Sequence, residues 1–121
     1  MKQITRPVYL ERIKALRGKP DIKVITGVRR CGKSELLKAF IAYLREVDPA
    51  GNVLYVDLMD LENEGLKEYH ALYHYFTTRY KAGVNNYVLV DEVQLCQGFE
   101  AAINSLYNKK QYDIYITGTV K

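Results

Sequence analysis

The chain has 121 residues, room for one domain, and its 48% apolar and 26% charged content excludes the disordered and collagen-like classes. No run approaches the roughly 18 uncharged residues that a membrane span needs. The start Met1-Lys2-Gln3-Ile4-Thr5-Arg6 lacks a signal peptide's apolar core, so the expected location is cytoplasmic, with no membrane partner.

Charge is unevenly spread. Residues 1–38 carry eleven Lys and Arg against three acids, and the remainder seven against eleven. A basic front suits a polyphosphate site or a weak nucleic-acid surface, and it also suits a solvated basic helix beside a phosphate loop.

In chain order, Pro7 to Leu16 predicts a leading helix with proline in its first turn. The apolar, β-branched run Ile22–Thr26 predicts a first strand. From Lys33 to about Val47, Leu36, Leu37, Phe40, Ile41 and Leu44 fall at helical spacing until Pro49-Ala50-Gly51 ends the pattern. Asn52–Leu58 predicts a second strand. A single long helix is expected from about Glu62 to Tyr80, with Leu66, Tyr69, Tyr73, Phe76 and Tyr80 on one stripe and a stop near Gly83. Tyr87–Val90 is the most continuously apolar strand, as burial on both faces demands. A helix from Phe99 to Asn108 and a fourth strand, Tyr112–Thr117, complete the series. Strands alternating with helices imply parallel pairing, right-handed crossovers and helices on both faces, an α/β sandwich.

Two motifs carry chemistry. Gly27-Val28-Arg29-Arg30-Cys31-Gly32-Lys33-Ser34 satisfies G-x-x-x-x-G-K-S/T at every fixed position, after a strand and opening a helix. Its glycines let successive N–H groups curl toward phosphate oxygens, and the helix N-terminus adds positive dipole. Lys33 is expected to reach the β- and γ-phosphates and the Ser34 hydroxyl to ligate Mg2+, with Glu35 next in the helix. The ligand is then a nucleoside triphosphate, ATP. Tyr87-Val88-Leu89-Val90-Asp91-Glu92 puts two carboxylates at the C-terminal edge of a buried strand, where ligands of open parallel sheets bind. Asp91 is the expected metal ligand and Glu92 the base that deprotonates the attacking water.

Together with the polar strand end Thr117-Gly118-Thr119, these motifs resemble the additional-strand P-loop ATPases. Within that class they are similar to prokaryotic AAA-superfamily ATPases with Arg29-Arg30 in the phosphate loop, an Asp91–Gln94 "DEVQ" Walker B and a "TG(S/T)" sensor strand. The resemblance spans nearly the whole chain. It implies a three-layer α-β-α P-loop sandwich with strand order 1-4-3-2. It also implies that Thr117 or Thr119 lies beside the γ-phosphate as a catalytic sensor, and that Mg-dependent ATP hydrolysis is coupled to conformational change of a larger protein or assembly. The family pattern T-G-S-N-A is interrupted here, with Val120 where it has Asn. The family also continues into a fifth strand, a lid and an arginine finger, so residues 1–121 are expected to be an ATPase domain incomplete at its C-terminus. Binding without significant hydrolysis, and self-association through the first strand, are the expectations for such a piece. A homo-oligomer, nucleic acid and a protein substrate all stay open as partners.

Other patterns are weaker. His70 and His74 stand one helical turn apart without a third ligand or the H-E-x-x-H glutamate, and are expected at the surface or half-buried. Cys31 and Cys96 form neither a CxxC pair nor a metal spacing, so both are expected to be free thiols. Several of the eleven tyrosines fall on the Leu66–Tyr80 stripe or in strands, where core packing with a hydrogen-bonded tip is expected. Asp60 is expected to cap the following helix. A GTP switch is disfavoured because Gln111 replaces the aspartate of N-K-x-D at Asn108-Lys109-Lys110-Gln111. A small-molecule kinase would need an acceptor pocket and a lid arginine that no motif supplies.

Overall fold

The computed structural model describes residues 6–27 and 32–119. In chain order these form α1 (Arg6–Leu16), β1 (Lys23–Gly27), α2 (Lys33–Val47), β2 (Asn52–Asp57), a 3-10 segment (Leu61–Leu66), α3 (Tyr69–Thr77), β3 (Asn86–Asp91), a 3-10 turn (Val93–Leu95), α4 (Phe99–Asn108) and β4 (Tyr112–Thr119). All four strands are parallel, in the order β1-β4-β3-β2. The chain therefore lays β4 between β1 and β3, although 84 residues separate the end of β1 from the start of β4. This is the α/β sandwich and the strand order expected.

Alternation along the strands divides the core in two. On one face Tyr87 and Leu89 of β3 and Tyr115 of β4 pack with Ile13 of α1 and Leu36, Leu37, Phe40, Ile41 and Leu44 of α2. On the other, Val88 and Val90 of β3, Ile114 and Ile116 of β4, and Leu54 and Val56 of β2 pack with Leu72 and Phe76 of α3 and Ala102, Ile103 and Leu106 of α4. Every residue of β3 is buried, which explains its continuous apolar reading. Among the described residues no helix is long and apolar enough to cross a membrane.

The expected single helix from Glu62 to Tyr80 is corrected to two pieces. Glu68 is extended (φ −125°, ψ 135°), and its carboxylate accepts from the amides of His70 and Ala71 as the cap of α3. Its neighbour Lys67 accepts through its carbonyl from Gln97 N at 2.9 Å, which docks the break against the loop before α4. The helix stops at Thr78, whose hydroxyl donates to the His74 carbonyl at 2.8 Å. Tyr80 lies beyond it and packs edge-on against Tyr112, ring centres 5.6 Å apart. Asp60 caps the 3-10 segment, accepting from Glu62 N.

One polar residue inside a strand escaped the sequence reading. Lys23 is 5% exposed. Its ammonium donates to Asp113 Oδ1 at 2.5 Å and to the Lys19 carbonyl, while the other oxygen of Asp113 accepts from Gly18 N and Tyr115 OH. Burial of a charge requires such pairing, and here it staples the α1–β1 turn to β4.

Candidate functional site

Parallel strands bring their C-terminal ends to one edge of the sheet. The register pairs Gly27 of β1 with Thr119 of β4, and Asp57 of β2 with Asp91 of β3. The end of β1 at Gly27, Asp91 with Glu92 directly after it, and the polar strand end thus meet at one edge.

Of the phosphate-loop residues, Val28, Arg29, Arg30 and Cys31 lie outside the described residues. Gly27 ends β1 and Gly32 caps α2 in the left-handed region (φ 74°, ψ 33°), a conformation that glycine adopts without Cβ strain. Lys33 is the first residue of α2, Ser34 the second, and Glu35 is an acid in the first turn, where the helix dipole favours negative charge. Ser34 is half-buried, and its hydroxyl donates to Asp91 Oδ2.

Asp91 is fully buried at the end of β3 and gathers three hydroxyl donors. Besides Ser34, Thr117 Oγ1 donates to its Oδ1 at 2.5 Å and Tyr55 OH approaches its Oδ2 at 3.4 Å. Burial pushes the Tyr55 phenol up, and the neighbouring charges of Asp91 and Asp57 push it further, so it stays a donor. Thr117 is also fully buried, and its oxygen accepts from Glu92 N at 2.9 Å. A single hydroxyl therefore joins β4 to both motif acids. Asp57, beside Asp91 in register, turns its carboxylate to its own loop and accepts from Met59 N.

Glu92 has a left-handed backbone (φ 58°, ψ 54°), rare for a residue with a Cβ and concentrated at functional sites. The half-buried residue accepts at Oε1 from Gln94 Nε2 at 2.6 Å. Neither the Tyr55 contact nor the Gln94 contact was anticipated. In sequence, Tyr55 is one member of an alternating strand, and Gln94 belongs to a motif without an assigned role.

The remaining candidates fall elsewhere. His70 and His74 are exposed, with His70 Nδ1 3.1 Å from Glu68 Oε2. No group of three or more His, Cys, Asp or Glu among the described residues can hold a metal unaided. Cys96 is buried and free, its thiol pushed up to about 11 by burial and then by Glu68 and Glu100, which makes it unreactive. A cavity of about 450 Å3 opens at the opposite edge of the sheet, among Arg17, Lys19, Tyr107, Lys110 and Asp113, and shares no residue with the acids. Its lining includes residues that directly follow α1 and the last turn of α4.

With this geometry in place, similarity to known proteins is informative. A family model described as an AAA domain matches residues 19–121. An uncharacterized protein of Haemophilus influenzae is 32% identical over 118 residues, which cover 96% of this chain and 30% of that protein. The chain thus spans under a third of the length of this curated relative. The crystal structure of the Pif1 helicase from Candida albicans is similar with a TM-score of 0.62 at 15% identity, over 98% of this chain and 33% of that one. At that identity the likeness is one of fold.

Proposed function

The chain belongs to the AAA domain family, and from that premise we propose that it binds ATP with magnesium at Gly27–Ser34 and that the AAA module of the native protein hydrolyses it, the hydrolysis driving conformational change in a larger protein or assembly. The observation that carries the reading is the contact of Ser34 with Asp91, joined through Thr117 to Glu92. Residues 34, 91, 92 and 117 come from α2, β3, the turn directly after it and β4, and no need of the core requires their polar groups to meet at the strand ends.

Ser34 and Asp91 offer hard oxygen donors side by side, which fits a cation that prefers oxygen and keeps several waters. They would hold magnesium, whose charge, when bound, offsets that of the phosphates. Gly27 to Gly32 would turn main-chain N–H groups to the phosphate oxygens, and Lys33 would add a full positive charge. Glu92 would take the proton of a water as its oxygen bonds to the γ-phosphorus and ADP leaves. Thr117 holds that glutamate's main chain to β4, so the base sits at a fixed point relative to Asp91.

Thermal unfolding with and without Mg-ATP tests the binding. A ligand bound only by the folded state raises stability by mass action, about 2.7 kcal/mol at a hundredfold excess over Kd. The wild-type protein is expected to gain Tm and Lys33→Ala to lose most of that gain. An equal rise in both would put the nucleotide elsewhere.

A further inference from the structure

The Walker B resemblance leaves its last member, Gln94, without a task, yet the geometry gives it one. Its side-chain amide donates to Glu92 Oε1 at 2.6 Å. Its carbonyl end lies against the end of β4, where a Cβ added to Gly118 would stand 3.3 Å from Oε1. The carboxamide therefore fills the space between Glu92 and β4. The preceding residue of β4, Thr117, accepts from Glu92 N. Of two consecutive residues of one strand, Thr117 thus holds the main chain of Glu92 and Gly118 borders the amide of Gln94 that holds its carboxylate, on a glutamate whose backbone is already in the left-handed region.

We propose that Gln94 is a positioning residue for hydrolysis, holding the Glu92 carboxylate in the orientation from which it accepts the water proton and registering it against the end of β4. The inference rests on the ATPase reading. A glutamate has three side-chain torsions, and general-base catalysis requires the oxygen within hydrogen-bond reach of its proton. A donor that fixes one oxygen removes most of the unproductive rotamers, an orientation effect expressed in rate rather than in binding. Gln94 itself is exposed, so its hydrogen bond contributes little to folding. Gly118 fits the same account, since a Cβ there would stand 3.3 Å from the amide oxygen and require it to shift slightly.

Steady-state and single-turnover ATP hydrolysis by the native protein tests this. Gln94→Leu keeps the side chain's size and removes the donor. It is expected to lower kcat about tenfold, with KM for ATP, the ATP-induced Tm rise and the unliganded Tm unchanged. In a Glu92→Gln background the same substitution should cost nothing further, because its effect passes through Glu92. Gly118→Ala, which crowds the amide, should lower kcat in the same direction and add nothing to Gln94→Leu. An unchanged kcat in Gln94→Leu, or a full extra loss on top of Glu92→Gln, overturns the role of Gln94 and leaves the ATPase reading standing. Absence of turnover by the wild-type protein overturns the hydrolysis reading and this role with it.

Discussion

Thr117 makes two hydrogen bonds with one hydroxyl, donating to Asp91 and accepting from Glu92 N, and it does so fully buried. A donor lost from a buried carboxylate and an amide left unpaired each cost more than an ordinary hydrogen bond is worth. Thr117→Val, which preserves shape, is therefore expected to destabilise the fold by about 1–3 kcal/mol and to depress turnover, while Thr117→Ser restores both. Denaturant midpoints and hydrolysis rates on the two variants check this, and a valine variant of unchanged stability would mean that the two bonds contribute nothing. The strand-end motif and the resemblance imply that Thr117 or Thr119 lies beside the γ-phosphate. That its hydroxyl turns to the motif acids depends on β4 lying next to β3, a pairing that resemblance implied and local propensity does not encode. Tyr55 and Lys23 were missed for a related reason. Each looks like an ordinary strand residue until the neighbouring strand supplies Asp91 or Asp113 as its partner.

Among the elements, α2 and α4 were legible because each carries a clean apolar stripe at helical spacing, and Pro49-Ala50-Gly51 marks the end of α2. The failure was the helix expected from Glu62 to Tyr80. Its stripe is real, with Leu72 and Phe76 buried and Leu66, Tyr69 and Tyr73 packed beside them. The break at Lys67-Glu68 is made by the Glu68 cap of α3 and is docked by a tertiary contact, Gln97 N to Lys67 O, that no window of sequence contains. Gly98 marks the same junction from the other side. It caps α4 at φ 74°, and a Cβ there would meet Tyr69 Cδ1 of α3 at 2.7 Å. Gly98→Ala would incur the left-handed penalty of about 1–2 kcal/mol and also push the Tyr69 ring from its place. The expected result is a fall in Tm of several degrees with the Mg-ATP-induced rise preserved, since the junction is remote in sequence from the phosphate loop. A variant as stable as the wild type would mean that the α3–α4 junction yields freely.

For the whole molecule, the two apolar faces supply cohesion, while polar links at the edge opposite the site set how the layers are tied together. Asp48, at the C-terminal end of α2, accepts from Tyr87 OH of β3 at 2.7 Å and from Asn85 Nδ2 at 2.9 Å, and Tyr87 OH in turn accepts from Arg17 after α1. This one carboxylate links α2, β3 and the turn leaving α1. The Asn85 and Tyr87 hydrogen bonds, helped by the charge of Arg17, outweigh partial burial and hold its pKa below the ordinary 3.8. A carboxylate whose folded pKa is depressed contributes stability above its unfolded pKa, and that contribution disappears as pH falls through the folded value. Asp48→Asn keeps the shape but does not titrate. The variant is therefore expected to be less stable than the wild type near pH 7, with the gap closing progressively below about pH 3.8. Other carboxylates, among them Glu68, whose pKa is depressed chiefly by the His70 amide, act on both proteins alike and cancel in the comparison. Urea midpoints measured for the pair between pH 7 and pH 2.5 read the gap directly. A gap that stays constant over that range would show that Asp48 acts through shape alone, and that the tie between α2 and the sheet does not depend on its charge.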